Sequence, residues 1–291
     1  MGGVGRYFCG NENGRWQPVT TPWGQPSDQI LTGELGGLRI AFLPRHGRGH
    51  VHSPSSVPYR ANIDALKRIG CTDLLAVSAV GSLREDLTPG QFVLVDQLID
   101  RTFARDKSFF GQGMVAHLGF AHPTCARLGG LVTRAAEAAG IHVHQGATYL
   151  AMEGPQFSTL AESRLYRSWG TDLIGMTAMP EAKLAREAEL CYASLAMVTD
   201  YDCWHPDHDA VDVAAVIAVL AANADKARAV IAALPATLTT PQAAPLTAAG
   251  GTRLPCPCGC DRALDTALVT APSKRDPAVL AKLDAVAGRL L

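Results

Sequence analysis

Two carboxylates, Asp200 and Asp202, sit two residues apart in VTDYDCW, directly after the apolar run CYASLAM. In an extended segment, residues two apart point to the same side, so the pair can act on one object. A group carrying N–H donors, or a ring nitrogen that must be protonated as it leaves, would suit them. Other apolar runs also end in polar residues: LRIAFLP runs into Arg45 and His46, LLAV into Ser78, and LIG into Met176 and Thr177. An Arg with hydroxyl donors and backbone N–H groups is equipment for holding a phosphate or sulfate, because guanidinium forks onto paired oxygens. Two carboxylates would repel that anion, so they must face another part of the ligand. A lone Asp-x-Asp is more often a turn or a helix cap; the ordered recurrence of polar residues at run ends is what points to a site.

The elements that must position these residues alternate along the chain. Apolar runs at 38–47, 72–82, 91–100, 146–152, 171–177 and 191–200 each hold four to eight apolar residues, the length of a strand buried on both faces. Amphipathic stretches lie between them, such as SVPYRANIDALKRIG and LAESRLYRSWG, each ending at a Gly that fits a helix C-cap, and GGLVTRAAEAAG. This alternation predicts an α/β fold with a mostly parallel or mixed sheet flanked by helices, and in open sheets of this class ligands collect at the carboxyl ends of the strands. Residues 209–234 read as one Ala-rich helix. Residues 235–260 are rich in Pro, Thr, Ala and Gly and read as an extended arm, followed by a last amphipathic stretch, DPAVLAKLDAVAGRLL. The expected organisation is therefore one domain over 1–234 and a C-terminal arm over 235–291.

Of 291 residues, 47% are hydrophobic, enough for a sizeable core, and the formal net charge of −1 comes from scattered charges of both signs. That argues against nucleic acid or a membrane surface as a partner. There is no apolar run of about 18 residues and no basic-then-apolar start, which predicts a cytoplasmic protein. Cys9, Cys71, Cys125, Cys191 and Cys203 are dispersed and read as packed, reduced thiols. Cys256, Cys258 and Cys260 form a C-x-C-x-C cluster that suits a redox pair, a soft-metal site or a tail with reactive thiols. Zinc ligands come as spaced pairs with a second pair elsewhere, and no second pair is visible, so no metal is expected. His50, His52, His205 and His208 form short-spaced pairs on loops, where solvated rings are expected.

Several motifs, in order, are those of a known family: TPWGQPSD (21–28), LPRHGRGH (43–50), YRANIDALK (59–67), AVGSLRED (79–86), EGPQFSTLAESRLYRSWGTDLIGMTAMPE (153–181) and TDYDCW (199–204). From Gly2 to about Leu234 the chain resembles the S-methyl-5′-thioadenosine phosphorylases, in the trimeric branch of the purine nucleoside phosphorylase family. The resemblance implies a single-domain central mixed β-sheet, distorted and barrel-like, wrapped by helices. It also implies a homotrimer or a dimer of trimers, and cleavage of an N-glycosidic bond by inorganic phosphate as co-substrate without other cofactor. Carried over by position, Arg45, His46, Ser78, Ala79 through its backbone N–H, and Thr177 would bind phosphate. Met176 would lie against the ribose and Phe157 against the base. Asp200 would serve purine N7 as the general acid, and Asp202 would accept from a 6-amino group. Val211, Val213, Val216 and Ile217 would line the methylthio pocket, with His117 reaching across from a neighbouring subunit.

Two departures stand out. The family begins with a strand running into a Gly-Gly-Thr/Ser-Gly loop whose hydroxyl contacts phosphate, whereas here Val4 stands at that position and the preceding strand is lacking. Loss of a buried strand would expose apolar neighbours and unpaired backbone groups, so the expectation is a true start several codons upstream of Met1. The tail exceeds that of many members, and its cysteines, although some members carry a C-terminal C-x-C, are expected to be reduced and structurally minor. The competing readings are phosphorolysis of nucleosides with a free 5′-hydroxyl or of methylthioinosine, a metal-dependent nucleoside hydrolase, and a catalytically weakened nucleoside-binding protein. Apolar Val211, Val213, Val216 and Ile217 disfavour a 5′-hydroxyl, and Asp rather than Asn at 200 disfavours a 6-oxopurine.

Overall fold

CYASLAMVTD folds as the strand β10 (Cys191–Asp200), buried at every position but its last. A strand apolar on both faces belongs in the middle of a covered sheet. In the computed structural model, which describes residues 14–206, 213–238 and 255–291, β10 pairs in parallel with β4 (Asp73–Ser82) and antiparallel with β5 (Phe92–Val95). Beyond β5 lies β7 (Val143–Gln145), parallel to it. On the other side, β9 (Leu173–Gly175) meets β4 antiparallel at Gly81 and Ser82, followed by β8 (Thr148–Met152) and β6 (Gln97–Arg101), both in parallel pairings. The seven strands run in the order β6-β8-β9-β4-β10-β5-β7, a mixed sheet as expected. A separate antiparallel sheet of β1 (Arg15–Gln17), β2 (Ile30–Leu35) and β3 (Leu38–Phe42) delivers the chain to Arg45.

Helices cover the sheet. Helix α1 (Tyr59–Arg68) buries Tyr59, Ile63 and Leu66, whose three-to-four spacing puts them on one face. Fully burying such a side chain contributes about 1.5–3 kcal/mol. Helix α2 (Ala126–Ala138) places Leu128, Leu131, Val132 and Ala135 against β10 and its neighbours. Helix α3 (Leu160–Ser168) starts with a capping box between Thr159 and Glu162, and α4 (Ala178–Glu187) follows β9 after a non-helical Met179. The Ala-rich segment forms α5 (Val213–Leu238), which continues past Pro235 and past the boundary expected at 234. Among the described residues no helix is long and apolar enough to cross a membrane.

The C-terminal residues behave differently from an extended arm. The segment 255–291 carries two short helices, α6 (Pro277–Lys282) and α7 (Asp284–Ala287), where the sequence reads as a single amphipathic stretch. Leu264, Ala267, Leu283, Val286 and Ala287 join the same buried cluster as Val80, Tyr149 and Leu184. The cysteines also need correction: Cys256 and Cys260 are buried against Cys125 and Cys191, residues far apart in sequence that the fold brings to one point. A second pair exists in space although none exists along the chain.

Candidate active site

The polar residues at the strand ends converge on one cleft of about 1750 Å³. Arg45, His46, Ser78, Ala79, Phe157, Met176, Thr177, Asp200, Asp202, Val216 and Ile217 all line it. Each arrives by a short route: Arg45 and His46 follow β3, Ser78 and Ala79 belong to β4, Met176 and Thr177 join β9 to α4, and Asp200 ends β10. The register between β10 and β4 shifts between Val198 and Asp200, a bulge of the kind that re-aims a side chain beside a site. His117 is exposed and outside this cleft, its backbone N–H bonded to the Ala267 carbonyl. Val4 and Val211 lie outside the described residues, as does the side chain of Val213.

One end of the cleft is cationic and braced. Arg45 forks onto Glu181, with Nε to Oε2 at 2.6 Å and Nη2 to Oε1 at 3.1 Å, while its Nη1 reaches Ser78 Oγ at 3.4 Å. Tyr192 donates its hydroxyl to the same Glu181 Oε1 at 3.1 Å. Burial alone would weaken the charge on Arg45, but Glu181 holds its pKa above the ordinary value. Ser78 Oγ lies 3.2 Å from Thr177 Oγ1, so two hydroxyls and a guanidinium edge share one spot. Thr177 leaves its own helix uncapped and donates its N–H to Tyr149 Oη at 3.2 Å. A side chain at Gly175 would place its Cβ 2.2 Å from that Tyr149 Oη, which makes glycine necessary there. His46 stacks on His50 and its Nδ1 contacts the His52 carbonyl at 2.9 Å. Burial pushes His46 down to about 4, so the ring is neutral near pH 7; because a carbonyl only accepts, Nδ1 carries the proton and Nε2 keeps its lone pair.

The other end is carboxylate-lined and partly unsatisfied. Asp200 Oδ1 accepts the Asp202 N–H at 2.8 Å, and Asp200 Oδ2 lies 2.7 Å from Thr199 Oγ1, which is also 3.1 Å from the Val80 carbonyl. One hydroxyl has one proton. When Asp200 is ionised, Thr199 can donate to it; when Asp200 is protonated, it can donate to Thr199 while Thr199 donates to Val80. Asp202 adopts the left-handed backbone conformation, φ +52°, and is 5% exposed. Burial raises its pKa above the usual carboxylate range, opposed in part by the Ser163 hydroxyl. Asp202 Oδ2 and Ser163 Oγ are both buried without a hydrogen-bond partner. A Cβ at Gly81 would come within 2.9 Å of Asp200 Oδ1, so only glycine lets β4 run beneath the carboxylate. Trp204 fixes the loop by donating Nε1–H to the Ser82 carbonyl at 2.7 Å, with Arg167 stacked over its ring, and Cys203 Sγ bonds the Ser158 carbonyl. Phe157 stands 43% exposed at the rim.

Two positioning residues escape a reading of the sequence. Glu181 braces Arg45, and its only linear signal is its place in the first turn after Thr177. Arg105 is 9% exposed and donates to the carbonyls of Met176, Met179 and Glu153, each at 2.6 Å, and to Tyr59 Oη at 3.2 Å. It thereby ties the turn carrying Met176 and Thr177 to the segment before Phe157. In the sequence it is an ordinary Arg beside an Asp, with no pattern to mark it.

Residues 10–235 match the phosphorylase superfamily. The S-methyl-5′-thioadenosine phosphorylase of Cereibacter sphaeroides is 66% identical, over 100% of this chain and 97% of that relative. That of Rhodospirillum rubrum is 59% identical, over 100% of this chain and 96% of that relative. Among solved structures, a methylthioadenosine phosphorylase from an antarctic soil metagenomic library superposes with a TM-score of 0.85 at 46% identity, covering 94% of this chain and 92% of that one. The methylthioadenosine phosphorylase of Schistosoma mansoni in complex with adenine superposes with a TM-score of 0.76 at 37% identity, covering 78% of this chain and 87% of that one. With the strand-end residues gathered in one cleft and identity of this extent, the chain belongs to the phosphorylase superfamily, in the family of the S-methyl-5′-thioadenosine phosphorylases.

Proposed function

We propose that the protein catalyses phosphorolysis of S-methyl-5′-thioadenosine to adenine and 5-methylthioribose 1-phosphate. The observation that carries this reading is the unpartnered, buried Asp202 Oδ2 beside Asp200, across one cleft from the Arg45, Ser78 and Thr177 cluster. A buried acceptor without a donor is costly, and a ligand amino group would relieve it, whereas a 6-oxo group would present only lone pairs.

In the reaction a phosphate oxygen bonds to C1′ as the C1′–N9 bond breaks and its electron pair passes to the base. Positive charge builds on the ribose and negative charge on the purine. Arg45, Ser78, Thr177, the Ala79 N–H and the neutral His46 hold the phosphate beneath C1′. Asp200 gives its proton to N7, and its contact with Thr199 accommodates either state of the carboxyl. Asp202 accepts from the 6-amino group, Phe157 stacks on the base, and Met176 lies against the ribose. Val216 and Ile217 face the methylthio end, with His117 supplied by a neighbouring subunit in a trimer or dimer of trimers. The reaction needs no cofactor beyond inorganic phosphate, and the enzyme works in the cytoplasm.

The test is adenine release from S-methyl-5′-thioadenosine with and without phosphate, beside 5′-methylthioinosine and adenosine. The expected result is rapid release from the first substrate that stops when phosphate is omitted. Equal release without phosphate would make the protein a hydrolase, and preference for the 6-oxo analogue would overturn the role of Asp202.

A further inference from the structure

Away from the cleft, the Sγ atoms of Cys125, Cys191, Cys256 and Cys260 all lie within 4.8 Å of one another, and all four residues are buried. Two belong to the core. Cys125 immediately precedes α2 and donates its N–H to the Tyr192 carbonyl at 2.7 Å, while Cys191 opens β10 and donates its N–H to the Thr72 carbonyl at 3.0 Å. The other two flank a tight turn in the C-terminal segment. Gly259 donates its N–H to the Cys256 carbonyl at 2.8 Å and takes φ +68°, a conformation that costs glycine little. That turn brings Cys260 back beside Cys256, whose N–H is held by Asp261 Oδ1 at 3.0 Å.

Apolar packing does not explain the convergence, because Leu128, Leu131 and Ala193 around it would be as well served by any side chains of suitable volume. Metal coordination does explain it. Four thiolates bound at about 2.3 Å form a tetrahedron with edges of about 3.8 Å, and Cys125 Sγ and Cys256 Sγ already stand 3.7 Å apart. The described cysteines are free thiols rather than disulfides. Cys125 and Cys260 hydrogen-bond to the Cys191 sulfur and lower its pKa, as does Arg127, so the cluster favours a thiolate. Arg127, the second residue of α2, stands against Cys191 and Cys256, where it would offset the negative charge of a tetrathiolate.

We propose that Cys125, Cys191, Cys256 and Cys260 bind one Zn²⁺ in a closed tetrahedral site that fastens residues 255–291 to the sheet. Binding converts the thiols to thiolates and releases their protons to solvent. Four protein ligands leave no open position, which makes the site structural rather than catalytic. It lies at the opposite end of β10 from Asp200, about 30 Å away at strand rise. The clip therefore acts on stability and on the placement of 255–291, including Ala267, which holds the His117 backbone.

Protein isolated in reducing buffer without chelator should carry one zinc per chain by elemental mass spectrometry. After chelation, Co²⁺ added to the reduced protein should give thiolate-to-metal charge-transfer and tetrahedral ligand-field bands. Cys260→Ser should weaken Zn²⁺ binding at least 100-fold, whereas Cys258→Ser, outside the cluster, should leave it unchanged. If Cys260→Ser does not fold, limited proteolysis of the wild type answers the same question: chelation should raise cleavage within 255–291 about tenfold, and Zn²⁺ should restore protection. Less than about a tenth of an equivalent of zinc after reconstitution, with the four thiols open to alkylation on denaturation, would leave packed thiols and overturn the proposal. A mass deficit with bridged peptides would overturn it in favour of disulfides, and stoichiometric iron would overturn the assignment to zinc.

Discussion

Strand β10 begins at a cysteine and ends at an aspartate, and its two ends are built for opposite purposes. At Cys191 the chain is closed over: a helix start, a neighbouring strand and a returning tail surround the sulfur on all sides. At Asp200 the chain is left open, with a carboxylate oxygen of Asp202 and the Ser163 hydroxyl buried without partners beside a cleft. The same sheet can hold both because its core between them is continuous and apolar. The lesson is that unsatisfied polarity is confined to the end where a ligand can complete it, while the far end is satisfied within the chain. Changes at one end should therefore move chemistry without moving stability, and changes at the other should do the reverse.

The sharpest test of that division is Asp200→Asn. Its amide oxygen can still accept the Asp202 N–H, and its amide N–H can donate to Thr199, which then donates to Val80, so the fold should be untouched. Loss of the proton donor should lower kcat on S-methyl-5′-thioadenosine by about 10²–10⁴ with little change in Tm, and should harm the 6-oxo analogue less. An equal loss on both substrates would break the assignment of Asp200 to N7. Next in size, Arg45→Lys replaces a fork with a point charge and abandons one of its two bonds to Glu181. The KM for phosphate should rise about 10- to 100-fold with a smaller change in kcat, read from initial rates at varied phosphate. Smaller again, Asp202→Asn should shift the ratio of kcat/KM between 6-amino and 6-oxo substrates by about 10- to 100-fold towards the oxo compound. At the far end of β10, Cys260→Ser should lower Tm while leaving kcat within about twofold; an equal fall in kcat would show that the two ends are coupled.

How legible these ends were in the sequence differs for a physical reason. Strands buried on both faces are uninterrupted apolar runs, so β3, β4, β8, β9 and β10 lie where the runs predict, and the polar residues closing those runs reach one cleft. QFVLVDQLID reads as one run but forms two strands on opposite sides of the sheet order, because Asp96 turns the chain and its Oδ1 takes the Ala147 N–H at 3.1 Å. Helix α4 has no visible stripe: its carboxylates Glu181 and Glu187 are themselves buried, held by Arg45 and by the Ser108 hydroxyl and Phe109 N–H. Arg105 and the four-cysteine cluster depend wholly on tertiary approach. Cys125 and Cys191 look like lone buried thiols in any window of sequence, and nothing local announces that a Pro-rich tail will return to meet them.

The smallest effect concerns His46 and asks whether the cationic end is complete before phosphate arrives. Burial holds the ring near a pKa of about 4 against about 6.5 in an unfolded chain. Between those values the unfolded state binds a proton that the folded state refuses, so stability is fully present above about pH 6.5 and falls as pH drops towards 4. The ring is only partly buried, so screening should leave about 1 kcal/mol of the nominal effect. Urea unfolding of wild type and His46→Gln from pH 7 to 4.5 should therefore diverge by about that amount, other titrating groups cancelling in the difference. Bound phosphate would place negative charge against Arg45 and His46 and favour the imidazolium, so saturating phosphate should shrink the divergence. If it does not, the anion sits elsewhere in the cleft, and the end of the molecule that looks braced for phosphate holds something else.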